Sequence, residues 1–203
     1  RKAYLWAEQN GKEFVFVVPA LTDFEINKIT RILEYLDGQN EKIEVIFNDW
    51  GTLLLILRYA GLRPVLGRLL TKQRKDPIAD KILNNRQDKM KIISYKNQKV
   101  IITPKKVPLS LKTYFQKSFV DVSHVMDFMI ANNIKRYELD LLPWGDKLNI
   151  DKKIKCSIYY PYVNISSTRY CGAINMTGTN KCKKICRTQK IEVGERKLEY
   201  PYV

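Results

Sequence analysis

The sequence predicts an α/β domain with mostly parallel strands. Three observations carry this. Short apolar runs of strand character alternate with segments of helical period over residues 1–70. The turns between them hold capping and glycine signals at the right places. The composition, 45% hydrophobic and 28% charged with 9 Gly and 8 Pro in 203 residues, is that of a folded globular chain. The longest apolar run, Leu53 to Leu57, falls far short of the roughly 18 residues a membrane-crossing helix needs, so no membrane span is expected.

The elements follow in order. Ala3 to Glu8 alternates, meets Gln9-Asn10-Gly11, and is followed by EFVFVVP over Glu13 to Pro19. An Asn-Gly pair between two strand-like runs predicts a hairpin. Thr22-Asp23-Phe24-Glu25 has the spacing of a capping box. Ile26, Ile29, Ile32, Leu33 and Leu36 continue it at helical spacing, and Gly38 is placed to end the helix in the left-handed conformation. Ile43 to Phe47 is a buried strand, Thr52 to Tyr59 a helix closed by Gly61, and Arg63 to Leu66 a strand ending at Gly67-Arg68. Strands separated by helices imply parallel pairing with helices on the sheet face.

Lys72 to Asp88 is polar and charged and reads as an insertion or long loop. Two short β runs within Lys91 to Thr103 flank Lys96-Asn97-Gln98 as a second hairpin, and Leu109 to Gln116 is a helical candidate. A clearer helix opens at Asp121-Val122-Ser123, carries Val125, Met126, Phe128, Met129 and Ile130 as an apolar face, and ends at Asn132-Asn133. Arg136 to Leu142 and Lys155 to Tyr160 are strands; beyond Val163 the residues read as loop, with a final hairpin over Ile191 to Tyr200. The organisation expected is an α/β domain over 1–150, with a last strand and Cys-rich segment of the same domain over 151–203. The chain opens on Arg1 without a signal-peptide pattern and stops at Tyr200-Pro201-Tyr202-Val203, which reads as a piece of a longer protein.

The net charge of +15 is concentrated. Lys89 to Val120 holds eight Lys and no acid, and Lys152 to Lys190 holds nine Lys and Arg and no acid. These windows carry the whole excess. Such clustering attracts polyanions, so RNA or another phosphate-rich partner is one reading, a solvated basic face a second, and compensation of an anionic cofactor a third.

In parallel α/β folds functional groups gather beyond the carboxyl ends of the strands. Here those positions hold Asn48, Asp49 and Trp50, then Arg68, Trp144, Tyr160 and Tyr162. Asp49 also suits an N-cap, and the tryptophans suit packing. Glu138 and Asp140 share one face of their strand, where two carboxylates need partners if that face is interior. The single histidine, His124, excludes any site needing two imidazoles, and its setting on an apolar helix suits a structural role.

All four cysteines, Cys156, Cys171, Cys182 and Cys186, lie in one 31-residue stretch. The x3 gap of the last pair lets both sulfurs reach one metal centre. Lys181, Lys183, Lys184 and Arg187 beside them favour thiolates. A [4Fe–4S] cluster on Cys171, Cys182 and Cys186, with Cys156 as fourth ligand or as a buried strand residue, stands against a structural zinc on all four cysteines. Disulfides are a third reading, but they need an oxidising compartment; nothing else suggests secretion, and a cytoplasmic location is expected.

The stretch IEVIFNDWGTLLLILRYAGLRPVLGRLL over 43–70 resembles the collagenase-like peptidase family, with its strand ending in an Asn-Asp-x-Gly turn, its short helix and its strand ending in Gly-Arg. RYELDLL, the step Ser166-Ser167-Thr168-Arg169-Tyr170-Cys171 and the closing Cys182-x3-Cys186 pair resemble later parts of that family. Its relatives include the oxygen-independent hydroxylases of ubiquinone synthesis and RNA modification. The resemblance implies a partial or modified (β/α) TIM-barrel-like domain with a Cys-rich C-terminal loop region and a [4Fe–4S] cluster. It also implies a partner subunit of the same family, with Asn48, Asp49 and Arg68 lining the catalytic pocket. The activity implied is hydroxylation of RNA or a small aromatic substrate. The alternatives are a peptidase, although the residues supply no nucleophile–base–orienter set, and a basic nucleic-acid-binding module with a structural four-cysteine metal site.

Overall fold

The computed structural model describes residues 1–39, 42–76, 79, 83 and 108–164, and the backbone of 91–95 and 98–102. The chain divides into Arg1–Ser166 and Ser167–Val203, and every element below belongs to the first unit.

The helices are α1 (Lys2–Gln9), α2 (Ile26–Asp37), α3 (Trp50–Ile56), α4 (Leu109–Phe115) and α5 (Ser123–Ala131). The strands are β1 (Val15–Val18), β2 (Ile43–Phe47), β3 (Leu62–Leu66), β4 (Lys91–Tyr95), β5 (Gln98–Ile102), β6 (Arg136–Asp140) and β7 (Lys155–Tyr159). Short 3-10 turns occupy Asp23–Glu25 and Phe119–Asp121. The main sheet has five strands in the order β1-β2-β3-β6-β7, and each neighbouring pair is parallel. The β4–β5 hairpin is antiparallel, as its sequence predicts. The α/β class is therefore correct. Among the described residues the sheet is open, with β1 and β7 at its edges.

Strand alternation sorts the side chains. Phe16, Val18, Val45, Phe47, Leu66, Tyr137 and Leu139 face the helices. There they join Ile29, Leu33 and Leu36 of α2, Leu53 and Ile56 of α3, and Val125 and Met129 of α5. Each such side chain, fully buried, contributes about 1.5–3 kcal/mol. The opposite face carries Glu44, Ile46, Arg63, Val65, Arg136, Glu138, Asp140, Ser157 and Tyr159.

The first expected hairpin is replaced by helix α1. Ala3 to Gln9 is rich in good helix formers, and Tyr4 and Ala7, three apart, are buried together. Tyr4 meets Phe14 and Tyr35 edge-on. The Asn-Gly pair stops the helix rather than turning a hairpin. Gly11 takes a left-handed φ of +59, its N–H donates to Glu8 O and the Lys12 N–H to Ala7 O, a Schellman arrangement. Gly38 differs from expectation as well, with φ −74. The last carbonyls of α2 are met without a left-handed residue, since the Gln39 side chain donates to Tyr35 O at 2.5 Å.

The remaining elements follow their sequence signals closely. At the capping box, the Thr22 N–H and hydroxyl both donate to Glu25 Oε2 at 2.9 Å. Helix α3 starts two residues earlier than its periodicity predicts, because Asp49 caps it: Thr52 N donates to Asp49 Oδ1 at 2.8 Å. Gly61 permits close approach, its N–H donating to Asp37 Oδ1 at 2.6 Å. The segment expected as an insertion is irregular over 72–76, and the rest of Lys72 to Asp88 falls almost wholly outside the described residues, as does the hairpin expected over Ile191 to Tyr200.

Candidate active site at the carboxyl ends of the strands

Strands β3 and β6 share a single register pair, Leu66 with Tyr137. Side chains continue the joint. Beyond β3 the chain runs as a strap over 67–76. From it Gln73 offers its amide to the backbone of Asp140: Asp140 N donates to Gln73 Oε1 at 2.8 Å, and Gln73 Nε2 donates to Asp140 O at 2.9 Å. A side-chain amide thus stands where a neighbouring strand would.

This strap places two cations on one carboxylate. Arg68 Nη1 donates to Asp140 Oδ1 at 2.7 Å, and Lys75 Nζ donates to Asp140 Oδ2. The Asp140 side chain is fully buried, Lys75 is 7% exposed and Arg68 25%. Burial alone would raise the Asp140 pKa, but the hydrogen bonds and charges of Lys75 and Arg68 outweigh it and hold the carboxyl below its ordinary value. The Arg68 guanidinium lies over the Tyr159 ring at 3.8 Å.

Two residues earlier on the same face sits Glu138, also buried. The Tyr159 hydroxyl donates to Glu138 Oε1 at 2.7 Å. Burial pushes the Glu138 carboxyl up, more than Tyr159 and the nearby arginines lower it. Tyr159 is pushed up to about 12, by burial first and then by its bond to Glu138. Asp146, which accepts from Gln73 Nε2 at 3.0 Å, is raised by burial, and its Oδ1 is buried with no hydrogen-bond partner among the described residues. One strand thus presents two carboxyls whose environments drive their pKa values apart, the arrangement that separates acid from base roles.

Of the predicted site residues, Arg68 lies in this cluster. Asn48 and Asp49 lie at the end of β2 and are engaged in holding loops. Asn48 Nδ2 donates to Val18 O at 2.9 Å and its Oδ1 accepts from Leu69 N at 3.3 Å. Asp49 Oδ2 accepts from Leu21 N at 3.1 Å and from the Thr52 hydroxyl at 2.7 Å. Gly67 lies against this turn, where an added Cβ would come within 2.6 Å of Phe47 O. Trp50 packs beside Phe47, Phe119 and Phe128, and Trp144 against Phe115, whose carbonyl accepts from Trp144 Nε1 at 3.1 Å. His124 lies exposed on an apolar groove with Trp50 and Phe128. Tyr160 and Tyr162 are exposed.

The residues that sequence reasoning missed are Lys75, Gln73 and Tyr159. Glu138 and Asp140 were visible as alternating acids, and the need for partners was the available signal. Their partners sit in a segment that reads only as polar.

Cys156 lies on β7 between Lys155 and Ser157, so its side chain leaves the opposite face from Ser157 and Tyr159. Its residue surface is exposed, yet the thiol sits beside Tyr137 and is pushed up, by burial first and then by Asp146 and Glu138, against a hydrogen bond with Tyr137. Among the described residues no group of three or more His, Cys, Asp or Glu is placed to hold a metal ion. Cys171, Cys182 and Cys186 lie outside the described residues.

What fold and site define together is an α/β protein with a charged cluster at the carboxyl ends of a parallel sheet. No helix among the described residues is long and apolar enough to cross a membrane. Comparison with protein-family models, with curated proteins and with solved structures returns no match.

Proposed function

We propose that the chain is an enzyme on a partial (β/α) barrel that works at the carboxyl end of its sheet, in the manner of the oxygen-independent hydroxylases its sequence resembles. The observation that carries this reading is the Arg68–Asp140–Lys75 cluster joined to the Tyr159–Glu138 pair. Asp140 fixes Arg68, whose side chain stays a quarter exposed at the cluster and is the group offered to an anionic or carbonyl-bearing substrate. Glu138 and Tyr159 form a hydrogen-bonded couple able to hold a proton beside it. The cofactor proposed is a [4Fe–4S] cluster on Cys171, Cys182 and Cys186, which supplies electron transfer when bound. Cys156 stands as fourth ligand on its sequence position alone. The basic window Lys89 to Val120 supports RNA as substrate or partner.

Anaerobic purification followed by absorbance and iron analysis tests this. Iron and acid-labile sulfide in equal amounts, lost in Cys182→Ala, is the result expected; loss in Cys156→Ala as well would make Cys156 the fourth ligand, and retention there would leave the cluster on Cys171, Cys182 and Cys186. Colourless protein with one zinc would remove the redox reading and leave the basic nucleic-acid module with a structural metal.

A further inference from the structure

The opposite end of the sheet holds a second set of charges. Lys12 precedes β1, Lys42 precedes β2, Arg63 lies near the start of β3, and Arg136 and Lys155 open β6 and β7. These five cations line one open cleft of about 690 Å³. We propose that this amino-terminal rim is a binding site for a ligand bearing several phosphate groups.

The argument rests on how the charges are paired. Arg136 forms the floor: its Nη2 meets Glu44 Oε2 at 2.7 Å and its Nη1 donates to Ser157 Oγ at 2.5 Å. Its Nε is buried with no hydrogen-bond partner among the described residues. Glu44 is consumed by that pair. Lys12, Lys42, Arg63 and Lys155 are exposed and enter no ion pair among the described residues. Glu8 and Glu13 also line the rim, so the positive excess is modest in number but converges on one concavity. Water-exposed cations at a shared cleft raise the local potential for an anion. A guanidinium fork with several ammonium groups matches phosphate, whose oxygens accept from many directions, better than a single carboxylate.

This rim is independent of the cluster and of the reaction proposed at the other end. It is also not one of the two basic windows in the sequence. Only Lys155 falls in either; the other four cations come from segments nearly balanced in charge.

Fluorescence anisotropy with a labelled single-stranded RNA dodecamer tests the site on the full chain, with ATP and inorganic phosphate as competitors. Arg63→Glu/Lys155→Glu is compared with Lys28→Glu/Arg31→Glu, which places the same charge change on the exposed face of α2. Thermal melting confirms that both variants fold. The rim variant is expected to lose about tenfold or more in affinity, with the slope of log affinity against log salt falling by about 1–2, while the control changes less than about twofold. Competition by ATP assigns the ligand as a free polyphosphate, and its absence assigns a nucleic-acid backbone; inorganic phosphate competing as well as ATP would overturn the proposal, since a site for several phosphates must prefer the polyphosphate. Equal losses in the two variants, or no binding of RNA, ATP or phosphate at all, would overturn the proposal.

Discussion

At the carboxyl end of the sheet the charges are buried and paired; at the amino end they are exposed and mostly unpaired. Asp140 receives Arg68 and Lys75, and its backbone receives Gln73. At the other end, among the described residues, only Arg136 is tied down, by Glu44 and Ser157. Burial explains the difference. A charge removed from water must find a partner or destabilise the fold, whereas a charge left in water is held by solvent and stays free to meet a ligand. The carboxyl-end cluster is therefore part of the architecture, while the exposed cations of the amino-end rim can be altered with little effect on the fold.

That contrast breaks most sharply at Asp140. Asp140→Asn leaves Lys75 buried without its counter-charge, and a loss of about 3–5 kcal/mol is expected in urea denaturation. A loss below about 1 kcal/mol would show that the pair is not buried in solution. Gly67→Ala forces a methyl against Phe47 O and the Asn48 side chain, and should destabilise by about 1–3 kcal/mol, read in the same titration.

The pH dependence separates the two carboxyls. Asp140 has its pKa lowered, so its contribution is complete at neutral pH and is lost as pH falls from the ordinary aspartate range through its folded value. Glu138 has its pKa raised, so its contribution runs the other way and is lost as pH rises from the ordinary glutamate range through its folded value. Glu138→Gln should flatten the upper part of the stability–pH curve and leave the acid limb in place. Unchanged curvature in the variant would mean that Glu138 is solvated. The smallest effect is expected at the rim, where Arg63→Glu/Lys155→Glu should shift stability by no more than about 0.5 kcal/mol, measured by thermal melting.

Local signals were legible where the chain interacts with itself nearby. The Thr22–Glu25 box, the Asp49 cap beside Thr52, and the spacing of Val125 and Met129 each act within one or two turns. Helix α1 shows the same physics misjudged. Asn10-Gly11 is a turn signal for a hairpin and a stop signal for a helix, and the burial of Tyr4 against Phe14 and Tyr35 chose between them. The candidate site was half legible. Arg68 and the two acids of β6 could be named, but not which acid Arg68 would meet.

Residue order alone dictates the α/β class, the succession of strands and helices from β2 to β7, and the alternation that puts Glu138 and Asp140 on one face. These follow from periodicity and capping, which are properties of neighbouring residues. It takes the folded chain to bring Lys75 to Asp140 across 65 positions, to stand Gln73 in for a strand, and to line one cleft with five cations from separate segments. Those outcomes depend on how the parallel sheet brings distant segments side by side, and nothing in local residue spacing encodes that distance.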